Sequence, residues 1–127
     1  LHFMNPYIYK ATLVKIIDGD TFDCDIDLGF NVWMHKQRVR LYNIDTPESR
    51  TRNLAEKALG LKAKQLLTDL LGEKFFISSL GEGKSRGKYG RILGTPYTAD
   101  GQDICQILVD SGLAVYYDGG KKTKVWA

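Results

Sequence analysis

The stretch TLVKIIDGDTFDCDI, residues 12–26, determines how the chain begins to fold. From Lys10 to Ile17, β-branched and polar residues alternate, which is the period-two pattern of a strand with one buried face. Asp18-Gly19-Asp20 is a turn signal, and residues Thr21 to Ile26 have the pattern of a returning strand. The sequence therefore opens with a predicted β-hairpin whose turn carries two carboxylates.

A third strand is predicted from Val32 to Ile44, after a second turn at Asp27–Asn31. Period two places Val39 and Leu41 on one face of this strand. The opposite face then carries polar and aromatic side chains, namely Arg38, Arg40 and Tyr42. We therefore expect Arg40 to project from a rigid strand whose other face is anchored in a core.

The next segment has the features of a helix. Asn53-Leu54-Ala55-Glu56 is similar to a capping box, and Gly72 is a plausible stop. Between them lies an apolar stripe at helical spacing that predicts a core-facing side. The stripe consists of Ala55, Leu59, Ala63, Leu66, Leu67 and Leu70. Gly60, inside the pattern, is unfavourable for a helix interior.

The remaining pattern predicts two strands and a short helix. Lys74–Leu80 and Arg91–Thr98 are the strands, separated by a glycine-rich basic loop, and Pro96 indicates an edge or a bulge. The helix extends from Asp103 to Ser111, and its inward residues are predicted to be Ile104, Ile107 and Leu108. Three strands, a helix, two strands and a helix form an α+β order. This pattern alone predicts a small barrel or an open sheet with helices on one side.

The length and composition of the chain are compatible with many kinds of globular protein. A chain of 127 residues is expected to form one domain, spanning 1–127, with an N-terminal extension at 1–9 and a short C-terminal tail at 118–127. Its 43% hydrophobic and 26% charged residues are ordinary for a globular protein. The net charge of +3 permits nucleic-acid binding without requiring it.

Cysteines and termini exclude several classes of protein. Cys24 and Cys105 are the only cysteines, and they lack the spacing of a zinc site. We expect both to be reduced and buried, with a disulfide as the alternative. No apolar run approaches membrane-spanning length, and the N-terminus lacks the features of a signal peptide. This favours an intracellular protein, with Leu1–Phe3 as a remnant before a native Met4.

Two aspartates and two arginines are the main candidates for chemistry. Asp20 and Asp45 each border a strand and a turn, where side chains can converge, and oxygen-only donors favour Ca²⁺ or Mg²⁺. Glu48 follows three residues after Asp45, and a carboxylate there can orient water or take its proton. Arg40 and Arg91 carry planar forks that match phosphate oxygens. Carboxylates for a hard cation, flanked by arginines, favour a phosphodiester substrate.

Taken singly, each carboxylate has a plainer interpretation. Asp20 is typical of a turn, Asp45 of a cap for the following turn, and Glu48 of a charge near a helix N-terminus. Asp18 is interpreted as a turn or structural residue. Only the combination of the acidic residues with the arginines favours a catalytic site.

Three blocks of the sequence together resemble the signature of the staphylococcal nuclease (thermonuclease) family. They are TLVKIIDGDT at 12–21, RLYNIDTPE at 40–48 and KYGR at 88–91. Two further segments, at 99–101 and 112–114, resemble landmarks of that family in the same order. The similarity therefore runs from about Lys10 to Val115.

The resemblance implies a fold and a metal. The fold is the OB-fold, a five-stranded Greek-key barrel, here with two or three helices. The metal is one Ca²⁺ ion, held by the carboxylates of Asp20 and Asp45 and by the backbone carbonyl of Thr46. The short C-terminal tail leaves no room for the full third helix of the family.

The resemblance also implies roles for the residues around the metal. Glu48 would be the general base, while Arg40 and Arg91 would stabilise the pentacoordinate transition state. Lys88 and Tyr89 stand where the family contacts a terminal phosphate of the substrate.

Tyr116 and Tyr117 follow the last matched segment, and the sequence leaves two interpretations open for them. Their rings could stack on a base, or they could pack at the rim of the barrel.

Two functions compete at this point. The leading one is a Ca²⁺-dependent endonuclease, a phosphodiester hydrolase acting on DNA, with RNA as a second candidate substrate and little sequence specificity. We expect a monomer that does not associate with membranes. The rival is a non-catalytic nucleic-acid-binding or scaffold OB module, since OB-folds host many functions.

Overall fold

The predicted hairpin forms and is the start of a closed barrel. Strand β1 (Ile8–Asp18) pairs antiparallel with β2 (Thr21–Asp27), and β2 pairs antiparallel with β3 (Trp33–Leu41). The computed structural model describes residues 6–79, 90–118, 120, 122 and 124–126.

Two later strands close the barrel. Strand β5 (Lys74–Ser79) pairs antiparallel with β1 and with β6 (Ile92–Tyr97), and β6 pairs in parallel with the end of β3. The order around the barrel is β1-β2-β3-β6-β5. Helix α1 (Leu54–Leu71) lies between β3 and β5 in the chain, and α2 (Ile104–Asp110) follows β6. The α+β prediction, with a five-stranded OB-like barrel and two helices, is confirmed.

The predicted third strand is wrong at its C-terminal end. It stops at Leu41, and the chain turns through Asn43, whose φ of 66° is left-handed, before a short strand β4 (Ile44–Asp45). This strand pairs with β7 (Val115–Tyr116) in a separate two-stranded sheet. The break points Asp45 away from the barrel ladder and into the region beside the turn of the first hairpin.

Helix α1 is capped by the predicted residues, Asn53 and Gly72. The Asn53 side chain accepts hydrogen bonds from the backbone N–H groups of Ala55 and Glu56, both at 3.1 Å. At the other end Gly72 has a φ of 58°, and its N–H donates to the Thr68 carbonyl. No helix in the described part of the chain is both long enough and apolar enough to cross a membrane.

The inward face of each helix differs from the prediction at single positions only. The buried residues of α1 are Gly60, Ala63, Leu67 and Leu71, whereas Ala55 is exposed. In α2, Cys105 is buried in place of Ile107, which is only partly buried. Most of the predicted stripe of α1 does face the core, because Ala63 and Leu67 are buried and Leu66 and Leu70 pack against the core.

A single core joins the barrel to both helices. Phe22 on β2 and Phe75 on β5 meet edge to face, with ring centroids 5.4 Å apart. Cys24 and Cys105 are both buried and free, which confirms the first of the two expectations. Burial, with smaller effects from nearby aspartates, raises the pKa of each thiol to about 12.

We predict that Asn53→Ala lowers the free energy of unfolding by about 1 kcal/mol, because two N–H groups at the start of α1 lose their acceptor. Asn53→Asp keeps an acceptor oxygen and should change stability by only a few tenths of a kcal/mol. Urea denaturation followed by circular dichroism measures both. Equal stability of Asn53→Ala and the parent would show that this cap is not used in solution.

Candidate active site

A polar pocket of about 110 Å³ opens at the end of the barrel where the first hairpin turns. Three segments form most of its wall: the β1–β2 turn, the end of β3 and the loop after β4. Six of the described residues that line it carry charge: Asp18, Asp20, Arg40, Glu48, Arg91 and Lys122. The sequence blocks around residues 18–21 and 40–48 therefore converge on one site, joined by Arg91 from the third.

Arg40 lies at the base of this pocket and is only 8% exposed. Its Nη1 donates to the backbone carbonyls of Leu41, at 3.1 Å, and Ile44, at 2.8 Å. Its Nη2 lies 3.4 Å from Asp20 Oδ2 and 3.6 Å from Asp45 Oδ1. The guanidinium group thus spans the break between β3 and β4 and faces both candidate metal ligands.

Asp20 and Asp45 are both buried beside this guanidinium group. Asp20 accepts from the Thr21 hydroxyl at 3.0 Å and, more weakly, from the Thr46 N–H at 3.4 Å. Asp45 Oδ1 is fully buried, and two cationic groups of the described chain face it, Lys122 Nζ at 3.0 Å and Arg40 Nη2 at 3.6 Å. A buried carboxylate oxygen that is compensated by positive charge, next to a second carboxylate, fits a site for a hard cation.

Few side chains in the described part of the chain are placed to bind a metal ion at this position. No three side chains of His, Cys, Asp or Glu gather there into a ligand cluster. A cation at this position would have two carboxylates, with Thr46 at the pocket wall as the source of a backbone carbonyl. Oxygen donors of this kind suit Ca²⁺ or Mg²⁺, which fill their remaining positions with water or phosphate oxygens.

Asp18 has the structural role that the sequence suggested. Its carboxylate accepts a short hydrogen bond from the hydroxyl of the buried Ser49. This bond ties the first hairpin to the loop that follows β4. It holds together the two segments that supply Asp20 and Asp45.

Glu48 stands at the mouth of the pocket, with its side chain 55% exposed. Partial burial raises its pKa above the ordinary glutamate value, and the carboxylates of Asp18, Asp20 and Asp45 raise it further, while Lys122 opposes them. The site therefore concentrates negative charge around Glu48, and a bound cation would relieve it.

Helix α1 holds Glu48 through two contacts that the sequence analysis missed. Glu56 does not complete a capping box; its Oε2 instead accepts the backbone N–H of Glu48 at 2.9 Å. Gly60 packs against the same segment so closely that a Cβ there would stand 2.3 Å from the Glu48 carbonyl oxygen. The unfavourable glycine inside the helical pattern was the one signal that could have revealed this contact.

Gly19 allows a second close approach. A Cβ on this residue would lie 2.7 Å from the Cβ of Ala63 on α1 and 3.1 Å from the Thr46 hydroxyl. The turn that presents Asp20 therefore rests directly on α1. Helix α1 therefore positions both the turn that carries Asp20 and the segment that carries Glu48.

Lys122 is the other residue that the sequence analysis did not select. Its Nζ forms an ion pair with Asp45 Oδ1 at 3.0 Å and lies 3.8 Å from Glu48 Oε1. Partial burial lowers its pKa, but Asp45, Asp20 and Glu48 raise it by more, so the net pKa is above the ordinary lysine value. The tail had no motif that would have indicated this contact.

The four residues predicted to bind substrate lie in different parts of the chain, and their role stays a prediction. Lys88 and Tyr89 lie outside the described residues. Neither Tyr116 nor Tyr117 is among the described residues that line the pocket. Tyr116 is 63% exposed on β7, while the Tyr117 ring lies beside Lys122, with Nζ 5.7 Å from its centroid.

The sequence model of the family described as "Staphylococcal nuclease homologue" matches residues 38–125. Endonuclease YncB of Bacillus subtilis (strain 168) is 32% identical over 84% of this chain and 47% of its own length. An uncharacterized endonuclease of Escherichia coli is 31% identical over 84% of this chain and 60% of its own. The succinoglycan biosynthesis protein ExoI of Rhizobium meliloti (strain 1021) is 31% identical over 92% and 56%. The chain spans about half the length of the curated relatives that it matches.

We predict that Gly60→Ala destabilises the protein by about 1–3 kcal/mol, the usual cost of overpacking. Helix propensity alone would give the opposite sign, a gain of about 1 kcal/mol for alanine over glycine in a helix interior. Here the added Cβ meets backbone atoms of Glu48 and Ser49, which cannot rotate away.

The matched control is Ala58→Gly, because Ala58 is exposed on the same helix and should follow propensity alone, losing about 1 kcal/mol. Urea denaturation of both variants and the parent gives the comparison. A more stable Gly60→Ala protein would exclude the close approach to Glu48.

Proposed function

The chain belongs to the staphylococcal nuclease homologue family, and from that premise we propose that it is a Ca²⁺-dependent endonuclease. It would hydrolyse phosphodiester bonds of DNA, and of RNA as a second substrate, with little sequence specificity. The observation that carries the proposal is the convergence of Asp20 and Asp45 on the buried guanidinium of Arg40, beneath a pocket that Glu48 and Arg91 also line.

The acidic pair supports the metal dependence. Asp20, Asp45 and the Thr46 carbonyl would hold the ion, and Asp45 Oδ1 is a buried oxygen whose negative charge a cation would balance. When bound, a divalent cation supplies Lewis-acid stabilisation of the charge that develops on phosphate oxygens. The choice of Ca²⁺ over Mg²⁺ rests on the resemblance of the three sequence blocks to the family.

Glu48 is proposed as the general base. Its carboxylate is exposed at the mouth of the pocket, where water and substrate can reach it, while its backbone is fixed by Glu56 and Gly60. It would take a proton from a water molecule as the water oxygen forms its bond to phosphorus. The bond from phosphorus to the leaving oxygen of the nucleic acid then breaks.

Arg40 and Arg91 are proposed to bind the phosphate as it gains charge. Arg40 uses Nη1 for two carbonyls of the protein, so its position is set before substrate arrives. Preorganised donors of this kind cost little reorganisation during the reaction. Arg91 lines the same pocket and would also assist the leaving oxygen.

The remaining predictions keep the status of proposals. Lys88 and Tyr89 would bind a terminal phosphate, and the exposed ring of Tyr116 suits stacking on a base better than that of Tyr117, which lies beside Lys122. Residues 1–127 would act as one monomeric domain. The rival function is a binding or scaffold module that uses the same pocket without cleaving.

We predict that nicking of a supercoiled plasmid requires an added divalent cation and is faster with Ca²⁺ than with Mg²⁺. Excess chelator should abolish cleavage, because the acidic pair and Arg40 alone cannot balance the charge of the transition state. Gel electrophoresis of plasmid incubated under the three conditions measures this, with an RNA transcript as the second substrate. Binding of plasmid without nicking under any condition would favour the scaffold module, and full activity in chelator would exclude the metal.

We predict that Glu48→Gln lowers the turnover number by roughly 10²-fold or more, the usual scale for a positioned acid–base group. Calorimetry should show Ca²⁺ affinity within a few-fold of the parent, because Glu48 is not one of the proposed ligands. Gln37→Glu is a control that changes charge on β3 away from the pocket and should leave turnover unchanged. Turnover close to the parent value in Glu48→Gln would remove Glu48 from the mechanism.

A further inference from the structure

The ammonium group of Lys122 reaches the acidic atoms that the proposed function assigns to a cation. Its Nζ is 3.0 Å from Asp45 Oδ1, and the same oxygen lies 3.6 Å from Arg40 Nη2. It is also 3.8 Å from Glu48 Oε1. Lys122 therefore bridges the candidate ligand and the candidate base, at the wall of the pocket.

Contacts within the tail direct Lys122 toward this position. The Tyr117 N–H donates to the Asn43 carbonyl at 2.9 Å, which anchors the tail to the turn just before Asp45. The Tyr117 hydroxyl donates to the Gly120 carbonyl, and the Gly120 N–H donates to the Asp118 side chain at 2.9 Å. The chain is thereby folded back toward β4.

The contact at Asp45 and a cation on the same oxygen exclude each other. Ca²⁺ binds carboxylate oxygens at about 2.3–2.6 Å, so an ammonium group at its present distance from Oδ1 would be a like charge within a few ångströms of the ion. The lysine stem is flexible and its side chain is 49% exposed, so the ammonium group can swing into solvent.

We propose that Lys122 is an exchangeable occupant of the cation site, which competes with the divalent ion for Asp45 and so sets the affinity of the site. The inference rests on the proposed function, because it concerns the ion that this function requires. Lys122 neutralises Asp45 until the ion displaces it. The concentration of cation at which the site fills is therefore higher than the two carboxylates alone would give.

The test is calorimetric titration of Ca²⁺ into the full chain and two variants. Lys122→Met removes the ammonium group and keeps a flexible apolar stem; it should bind Ca²⁺ more tightly, on the order of fivefold, the scale of one partly exposed ion pair. Lys124→Met is the matched control, since it makes the same change in net charge two residues away, where Nζ lies over the Trp126 ring, 5.3 Å from its centroid. Its affinity should equal that of the parent.

A second readout follows displacement itself. In the parent, saturation with Ca²⁺ should shift the backbone amide signals of Gly120 and Lys122 in a ¹⁵N correlation spectrum, with the same midpoint as the calorimetric binding. In Lys122→Met these shifts should be much smaller, because the tail is no longer attached to Asp45. Lys122→Arg, which keeps a cation on the tail, should restore affinity toward the parent value.

Three results would overturn the inference. Equal Ca²⁺ affinity of the parent and Lys122→Met would show that the lysine does not compete, while the proposed metal site would stand. Equal strengthening in Lys124→Met would reduce the effect to net charge. If neither the parent nor Lys122→Met binds Ca²⁺, the metal site of the proposed function fails together with the competition.

Discussion

A buried positive charge at the end of the barrel is the constraint on which the site depends. The guanidinium group of Arg40 is a buried charge, so it has to be compensated by hydrogen-bond acceptors and negative charge. The carbonyls of Leu41 and Ile44 provide the acceptors, and they can do so only because the chain turns between them. Asp20 and Asp45 provide the charge. The break in the strand, the acidic pair and the pocket are consequences of one guanidinium group.

Asp20 and Asp45 therefore bear on both the stability of the fold and the chemistry proposed for the site. Removing one partner of a buried charge is typically destabilising by about 3–5 kcal/mol, since the other partner is left without compensation. A substitution at Asp20 or Asp45 would therefore alter both the stability of the protein and the cation site proposed for it. Glu48 differs, because its side chain is largely exposed and its place is fixed through its backbone by α1. The role proposed for Glu48 can therefore be tested separately from the fold, whereas those proposed for the aspartates cannot.

Much of the barrel could be predicted because its signals are local. Alternation on β1, the Asp18-Gly19-Asp20 turn and the Asn53 cap each depend on a few neighbouring residues, and each is confirmed.

The end of β3 could not be predicted in this way. Residues 41–44 fit a strand pattern, and only Arg40, the Gly94 carbonyl and β7 make the chain turn there. The burial of Gly60 could not be predicted for the same reason, since it packs against a backbone segment that no periodicity in the helix reveals. Lys122 lies far from Asp45 in sequence, and a single lysine in a tail carries no pattern.

The two buried thiols, Cys24 and Cys105, can report local opening of the folded protein. Cys24 lies in β2, within the barrel wall, and Cys105 lies in α2, and both belong to the shared core. Only a thiolate reacts quickly with alkylating reagents, and both groups are inaccessible and hard to ionise while the fold is closed. Modification of either one must therefore wait for its own element to open. The order in which the two cysteines are labelled would distinguish detachment of α2 from opening of the barrel, without any probe being introduced.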